Sequence, residues 1–234
     1  MKLGIMQPYF FPYLGYWQLM NAVDRYVVYD DVNFIKGGRI NRNAILLQGQ
    51  SHTVNLILRG ASPNKLINQV QVDTQDLTQT KLLRTIGQAY AKAPFFADVM
   101  PVLEKAIRCE EENLARYLLH TFRVVNEYLG IRTELVLSSD IEKNNDLKGY
   151  EKVIEICTLT GADCYYNAIG GVELYEPHRD AFEAAGIELR FLEMEPVQYT
   201  QFRNEFVPNL SIIDVMMFNS PEQIRNLLEA YQLR

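Results

Sequence analysis

The feature that most constrains this chain is an alternation in its last hundred residues. Short apolar runs take turns with amphipathic stretches closed by glycine. Leu135–Leu137 reads as a strand, 149–160 as a helix ended by Gly161, 163–169 (DCYYNAI) as a strand, 174–185 as a helix ended by Gly186, and 187–192 as a strand. Helix and strand in strict succession build a parallel sheet covered by helices. The opening obeys the same grammar. Leu3–Met6 is a strand stopped by Gln7-Pro8, residues 14–23 form a short helix, and 25–32 (RYVVYDDV) is a second strand, rich in β-branched and aromatic residues. The fold expected is α/β, a mostly parallel Rossmann-like sheet.

Between these parts the pattern changes. Gly37-Gly38 marks a turn, and two apolar runs around Gln48-Gly49-Gln50 read as a hairpin; 63–72 is a mixed loop. From Thr74 the spacing of Leu77, Leu82, Leu83, Ile86 and Tyr90 is helical, up to Ala93-Pro94. A second helical run from Asp98 reaches Leu129 and closes at Gly130. Residues 75–130 are therefore expected to be a helical insertion or cap within one α/β domain spanning 1–234. Ser220-Pro221 should cap a last helix that buries Leu227, Leu228 and Tyr231.

A net charge of −6 gives no bulk attraction to a phosphate backbone, so nucleic acid is not an expected partner; a small anion needs only two or three donors. Cys109, Cys157 and Cys164 are too widely spaced for a metal or redox pair and read as structural thiols. No metal site is expected and no cofactor is assigned. No run approaches the roughly 18 apolar residues of a membrane helix, and Gln7, Pro8 and Pro12 interrupt the first apolar stretch, so a cytoplasmic protein is expected. His52, His120 and His178 sit in unrelated settings and read as structural or surface residues.

Ligands of open parallel sheets sit beyond the carboxyl ends of the strands. That rule gathers Gln7, Tyr9, Tyr13 and Gly15 after the first strand with Asp30, Asp31 and Lys36 after the second. It adds Ser138, Ser139 and Asp140, then Asn167, Gly170 and Gly171. Arg39, Asn41 and Asn43 would share one face of the following strand, with Arg42 opposite. Guanidinium groups suit bidentate recognition of phosphate or carboxylate, whereas the alternative is a solvated hairpin paired with the aspartates. Asp30 and Asp31 are the candidate acid/base pair, Lys36 the candidate charge-neutralising group, and turn capping is their bland alternative. Asn209, Ser211 and Asp214 fit a helix cap and the crevice equally well.

Tyr13-Leu14-Gly15-Tyr16 resembles the His-x-Gly-His of nucleotidyltransferases in spacing and setting, with both histidines replaced by tyrosine. A phenol with pKa near ~10 brings no positive charge to a phosphate at neutral pH, so packing is the favoured reading of these aromatics. The likeness bears on the fold, as one variant of the Rossmann-like sheet.

Residues 6–43, MQPYFFPYLGYWQLMNAVDRYVVYDDVNFIKGGRINRN, resemble the WbqC-like family, with its QPxFFPYxGY and YDDVxFxKxxxINRN stretches; NAIGG and FVPNLSIIDVMMFN extend the likeness along the chain. Gly38 departs from the pattern, which often has tryptophan there. The resemblance implies a role in surface polysaccharide (O-antigen-type) biosynthesis and names no established catalytic residue. The expected function is a cytoplasmic transferase holding a nucleotide, nucleotide-sugar or acyl donor, hence a phosphorylated or sugar ligand. The alternative is a non-catalytic binding or scaffold protein on a degenerate nucleotidyltransferase-like fold.

Overall fold

The inner strands of the central sheet are short and largely buried, because helices cover both of its faces, while the two edge strands are more exposed. In the computed structural model, which describes residues 1–234, the chain opens with β1 (Lys2–Met6), α1 (Leu14–Ala22) and β2 (Arg25–Val28). A long excursion follows: β3 (Arg42–Leu47), β4 (Gln50–Asn55), β5 (Leu58–Arg59), β6 (Gln71–Val72), α2 (Asp76–Tyr90), α3 (Phe96–Ile107) and α4 (Leu114–Leu129). The alternating part comprises β7 (Glu134–Leu137), α5 (Gly149–Thr160), β8 (Cys164–Ala168), α6 (Val172–Tyr175), α7 (Arg179–Ala184) and β9 (Glu188–Met194). The chain ends with α8 (Ile212–Phe218), α9 (Pro221–Leu228) and β10 (Tyr231–Leu233).

The sheet order is β10-β9-β8-β1-β2-β7, parallel throughout except for β10. Counting only the parallel strands in chain order, this is 3-2-1-4-5, the doubly wound arrangement whose switch point falls between the first and fourth strands, here β1 and β8. From β1 the chain turns one way, through α1 to β2. From β8 it turns the other way, through α6 and α7 to β9. The covering helices divide accordingly: Leu3, Ile5, Val27, Tyr165 and Phe191 pack against α5, Tyr175 and Phe182 on one face. Tyr26, Val28 and Tyr166 join α1, α4 and α9 on the other.

Within 75–130, α4 belongs to the layer covering the sheet: Phe122 packs edge-on against Trp17 of α1 and Tyr26 of β2. α2 and α3 pack outside it. The expected hairpin forms, but its connection is two residues, since Gln50 already pairs with Leu47; Gln48 and Gly49 are both at positive φ, as a type I′ turn requires.

Several expectations needed correcting. The helix expected over 174–185 is broken, because Pro177 interrupts it with a 3₁₀ turn between α6 and α7. The run from Asp98 to Leu129 is two helices, and Asn113 caps the second through a bond from the Arg116 amide at 3.2 Å. Leu77 is exposed rather than part of the buried stripe. Tyr231 sits in an antiparallel edge strand, paired with Met194.

Candidate functional site

The carboxyl ends of β1, β8 and β9 open onto a groove built at the switch point. Its inner part, about 490 Å³, is lined by Gln7, Tyr9, Tyr13, Tyr29, Asn167 and Gly170 among others. An adjoining cavity, also about 490 Å³, is lined by Tyr9, Tyr13, Gly15, Arg39, Asn43, Glu193, Met194 and Asn209. Tyr9, Tyr13 and Ala168 belong to both, so the two are parts of one groove.

The aromatic loop is held from behind by its neighbours. Phe10 and Phe11 are fully buried in the core rather than displayed, and Phe11 has φ 41°, a left-handed conformation that a bulky residue adopts at a cost of about 1–3 kcal/mol. Asn43 holds it there. Its Nδ2 donates to the Phe10 carbonyl at 3.1 Å and the Phe11 carbonyl at 2.8 Å, while its Oδ1 accepts from the Ala44 amide at 2.8 Å. The Ser211 hydroxyl donates to the Phe11 carbonyl at 2.7 Å. With Phe10 and Phe11 turned inward, Tyr9 and Tyr13 are left half-buried along the groove. Burial raises both phenols above their ordinary pKa, against the Arg39 charge for Tyr9 and with help from Tyr9 for Tyr13, so each is a neutral hydrogen-bond donor at physiological pH.

Gly15 makes room for the Tyr13 ring: a Cβ at this position would lie 2.7 Å from it. The Tyr16 hydroxyl donates to the Gln7 carbonyl, which braces the turn after β1. Of the two tyrosines of the Tyr-x-Gly-Tyr stretch, Tyr16 is a buried packing element, whereas Tyr13 stands half-buried on the groove wall. On the far wall, Asn167 is buried and its Nδ2 donates to the Tyr165 hydroxyl. A Cβ on Gly171 would stand 2.5 Å from Asn167 Oδ1, so glycine there is what leaves the carboxamide its place.

The residues named from the sequence divide into two groups. Gln7, Tyr9, Tyr13, Gly15, Arg39, Asn43, Asn167 and Gly170 all line the groove. Gly171 and Asn209 line it too, and the rest lie elsewhere. Asp30 is fully buried behind the wall, accepting from the Ser139 amide at 2.9 Å, the Ser139 hydroxyl at 2.6 Å and Asn68 Nδ2 at 3.3 Å. Asp31 forms ion pairs with Lys143 at 2.8 Å and Lys152 at 3.0 Å, all three side chains almost inaccessible. Burial pushes this carboxyl up, but Lys143, Ser138 and Lys152 outweigh it and hold it below the ordinary range. Arg42 is spent on the carbonyls of Gly37 and Gly38, and Asn41 Nδ2 on the Leu56 carbonyl at 3.0 Å. Lys36 is exposed and away from the groove.

Glu193 and Met194, at the end of β9, lay just beyond the strand expected over 187–192 and were not named from the sequence. Glu193 pairs with Arg234, beyond the last strand. Ser211 caps α8 through the Ile213 amide at 3.2 Å, and Asp214 lies inside that helix, accepting from Tyr90, Tyr199 and Gln201. Of this trio, Asn209 alone reaches the groove. No histidine lines it; His178 stacks on Tyr150 with ring centroids 3.8 Å apart.

The fold and groove define a doubly wound α/β protein with a ligand-sized cleft at its switch point. The chain belongs to the WbqC-like protein family, whose model matches residues 7–226. An uncharacterized protein of Mycobacterium tuberculosis, Rv1507c, is 29% identical over 234 residues, covering 96% of this chain and 97% of the relative. No solved structure matches. No helix is long and apolar enough to cross a membrane.

Proposed function

We propose that this protein is a cytoplasmic transferase of surface polysaccharide biosynthesis whose donor carries a phosphate or carboxylate. The observation that carries this reading is Arg39. Its guanidinium reaches Asn43 Oδ1 at 3.5 Å on the wall of the groove and forms no ion pair with a carboxylate. Arg39 is exposed, and a guanidinium without a carboxylate partner at the edge of a groove suits an anionic ligand.

In this reading Arg39 neutralises the donor's anionic group, and the Tyr9 and Tyr13 hydroxyls donate to it. Gln7 and Asn167 orient the hydroxyls of a sugar. Asp30 and Asp31 are consumed by Ser139 and by two lysines, which leaves Glu193 to take the proton of the attacking hydroxyl or amine. The leaving group departs with the bonding electron pair, its charge met by Arg39. The polysaccharide role rests on the family resemblance.

Because Glu193 is already paired with Arg234, a second reading stands beside the first: a binding protein without turnover. Thermal-shift screening of nucleotides, nucleotide-sugars and acyl donors, followed by turnover assays with amino-sugar acceptors, separates them. Turnover lost in both Arg39→Ala and Glu193→Gln supports the transferase. Binding lost in Arg39→Ala without turnover for any donor supports the second reading. Wild-type binding of every donor by Arg39→Ala would refute both.

A further inference from the structure

The groove does not end at Arg39. It continues past Tyr13, Met194 and Asn209 into a second arm of about 560 Å³, which shares those three residues with the first. The wall of this arm is mostly apolar, with Leu14, Pro196, Val197, Phe206, Pro208 and Val215 along it. Its polar side chains are few: Gln198 and Asn209 are exposed along it, while Tyr199 is turned inward and satisfied. The Tyr199 hydroxyl donates to Asp214 at 2.7 Å and Gln201 Nε2 to the same carboxylate at 2.6 Å, so Tyr199 offers the arm its ring, packed edge-on against Phe206 with centroids 5.1 Å apart.

The arm is also held open. Tyr90 of α2 donates to Asp214 at 2.8 Å while accepting from the Leu46 amide, Gln201 exchanges two bonds with Val207, and Tyr13 bridges to Ser211. Segment 195–210 carries no helix or strand, and these bonds fix it as a wall. Each arm alone falls within the roughly 300–1,000 Å³ of small-molecule sites.

We infer that the groove takes an amphipathic anion, with its phosphate or carboxylate at Arg39 and an aliphatic chain in the second arm. The donor class is thus an acyl or lipid-linked compound rather than a nucleotide-sugar. This rests on the anionic-donor reading of Arg39 and deepens it. A nucleobase would bury a polar edge and a ribose against this wall, where the Tyr199 hydroxyl is committed to Asp214 and only Gln198 and Asn209 could answer among mostly apolar side chains. An aliphatic chain needs only displaced water and carbon contacts.

The test is calorimetric titration of the full chain with n-alkyl phosphates from ethyl to decyl, below their micellar concentrations, with uridine monophosphate as the nucleotide comparison. Affinity should rise about four-fold per methylene until the arm is filled, and octyl phosphate should bind tighter than the nucleotide. Val197→Asp and Pro208→Asp, checked for folding by circular dichroism, should abolish the dependence on chain length while ethyl phosphate binding stays at the wild-type value. Arg39→Ala should weaken every member of the series by a similar factor. Affinity that is flat in chain length yet dependent on Arg39 would overturn this inference and leave the anionic-donor reading intact. A series unaffected by Arg39→Ala would overturn both, and so would chain-length dependence surviving unchanged in both aspartate variants overturn the placement of the chain.

Discussion

Asn43→Ala tests whether one buried amide sets the shape of the groove. The substitution removes both donors that hold the carbonyls of Phe10 and Phe11, and the acceptor that holds the Ala44 amide. The Phe11 carbonyl keeps its bond from Ser211, so the groups that lose a side-chain partner outright are the Phe10 carbonyl and the Ala44 amide. Leaving a buried polar group without a partner costs about 1–3 kcal/mol. Two such groups, with some relaxation, put the loss at about 2–4 kcal/mol. For a chain of this length each kcal/mol lowers Tm by roughly 2–4 °C, so differential scanning calorimetry should show a drop of about 5–15 °C. Asn43→Asp sharpens the test. It points a carboxylate at two carbonyl oxygens, so the folded state should favour the protonated acid. A folded-state pKa raised above the unfolded value means that stability is lost as pH rises through that window and regained on acidification. Asn43→Asp should therefore be less stable than Asn43→Ala at pH 7 and recover toward pH 4. An Asn43→Ala variant melting within about 1 °C of wild type would refute the claim that this amide pins the turn.

Asp31→Asn should destabilise by about 3–5 kcal/mol in urea unfolding, because it strands two buried lysines without their counter-ion. Asp31 is held below its ordinary pKa, so its contribution is full above about pH 3.9 and is lost as pH falls through the folded value; the variant should lack that part of the acid limb. Gly171→Ala should displace Asn167, weaken ligand binding at least ten-fold in titration and lower Tm by a few degrees, since the buried Asn167–Tyr165 hydrogen bond is lost with it. Lys36→Ala should change stability by less than about 0.5 kcal/mol and leave binding as in wild type, because the side chain is exposed and off the groove; a binding loss there would move the anion site.

Much of the architecture was written in local pattern. Strand-length apolar runs, caps and closing glycines specify elements through short-range sterics and hydrogen bonding, and β1, β8, β9, α5 and the hairpin came out nearly where the sequence put them, while β2 stops at Val28 instead of running to residue 32. Parallel order followed too, since a strand–helix–strand crossover has essentially one hand. That was enough to bring Gln7, Tyr9, Tyr13, Arg39, Asn43 and Asn167 to one edge.

What the sequence could not say is which polar groups would be spent on the protein itself. Asp30 and Asp31 look like a catalytic pair in one dimension. Ser139, Lys143 and Lys152, more than a hundred residues away, claim them in three. Arg39 and Arg42 are both candidate anion binders until a tight turn folds Arg42 back onto the carbonyls of Gly37 and Gly38 and leaves Arg39 at the groove. The same holds for β10, whose residues suit a helix face until the open edge of β9 offers them backbone partners. Local chemistry selects the elements. Whether a charge is free to meet a ligand depends on partners that only the folded chain brings within about 3 Å.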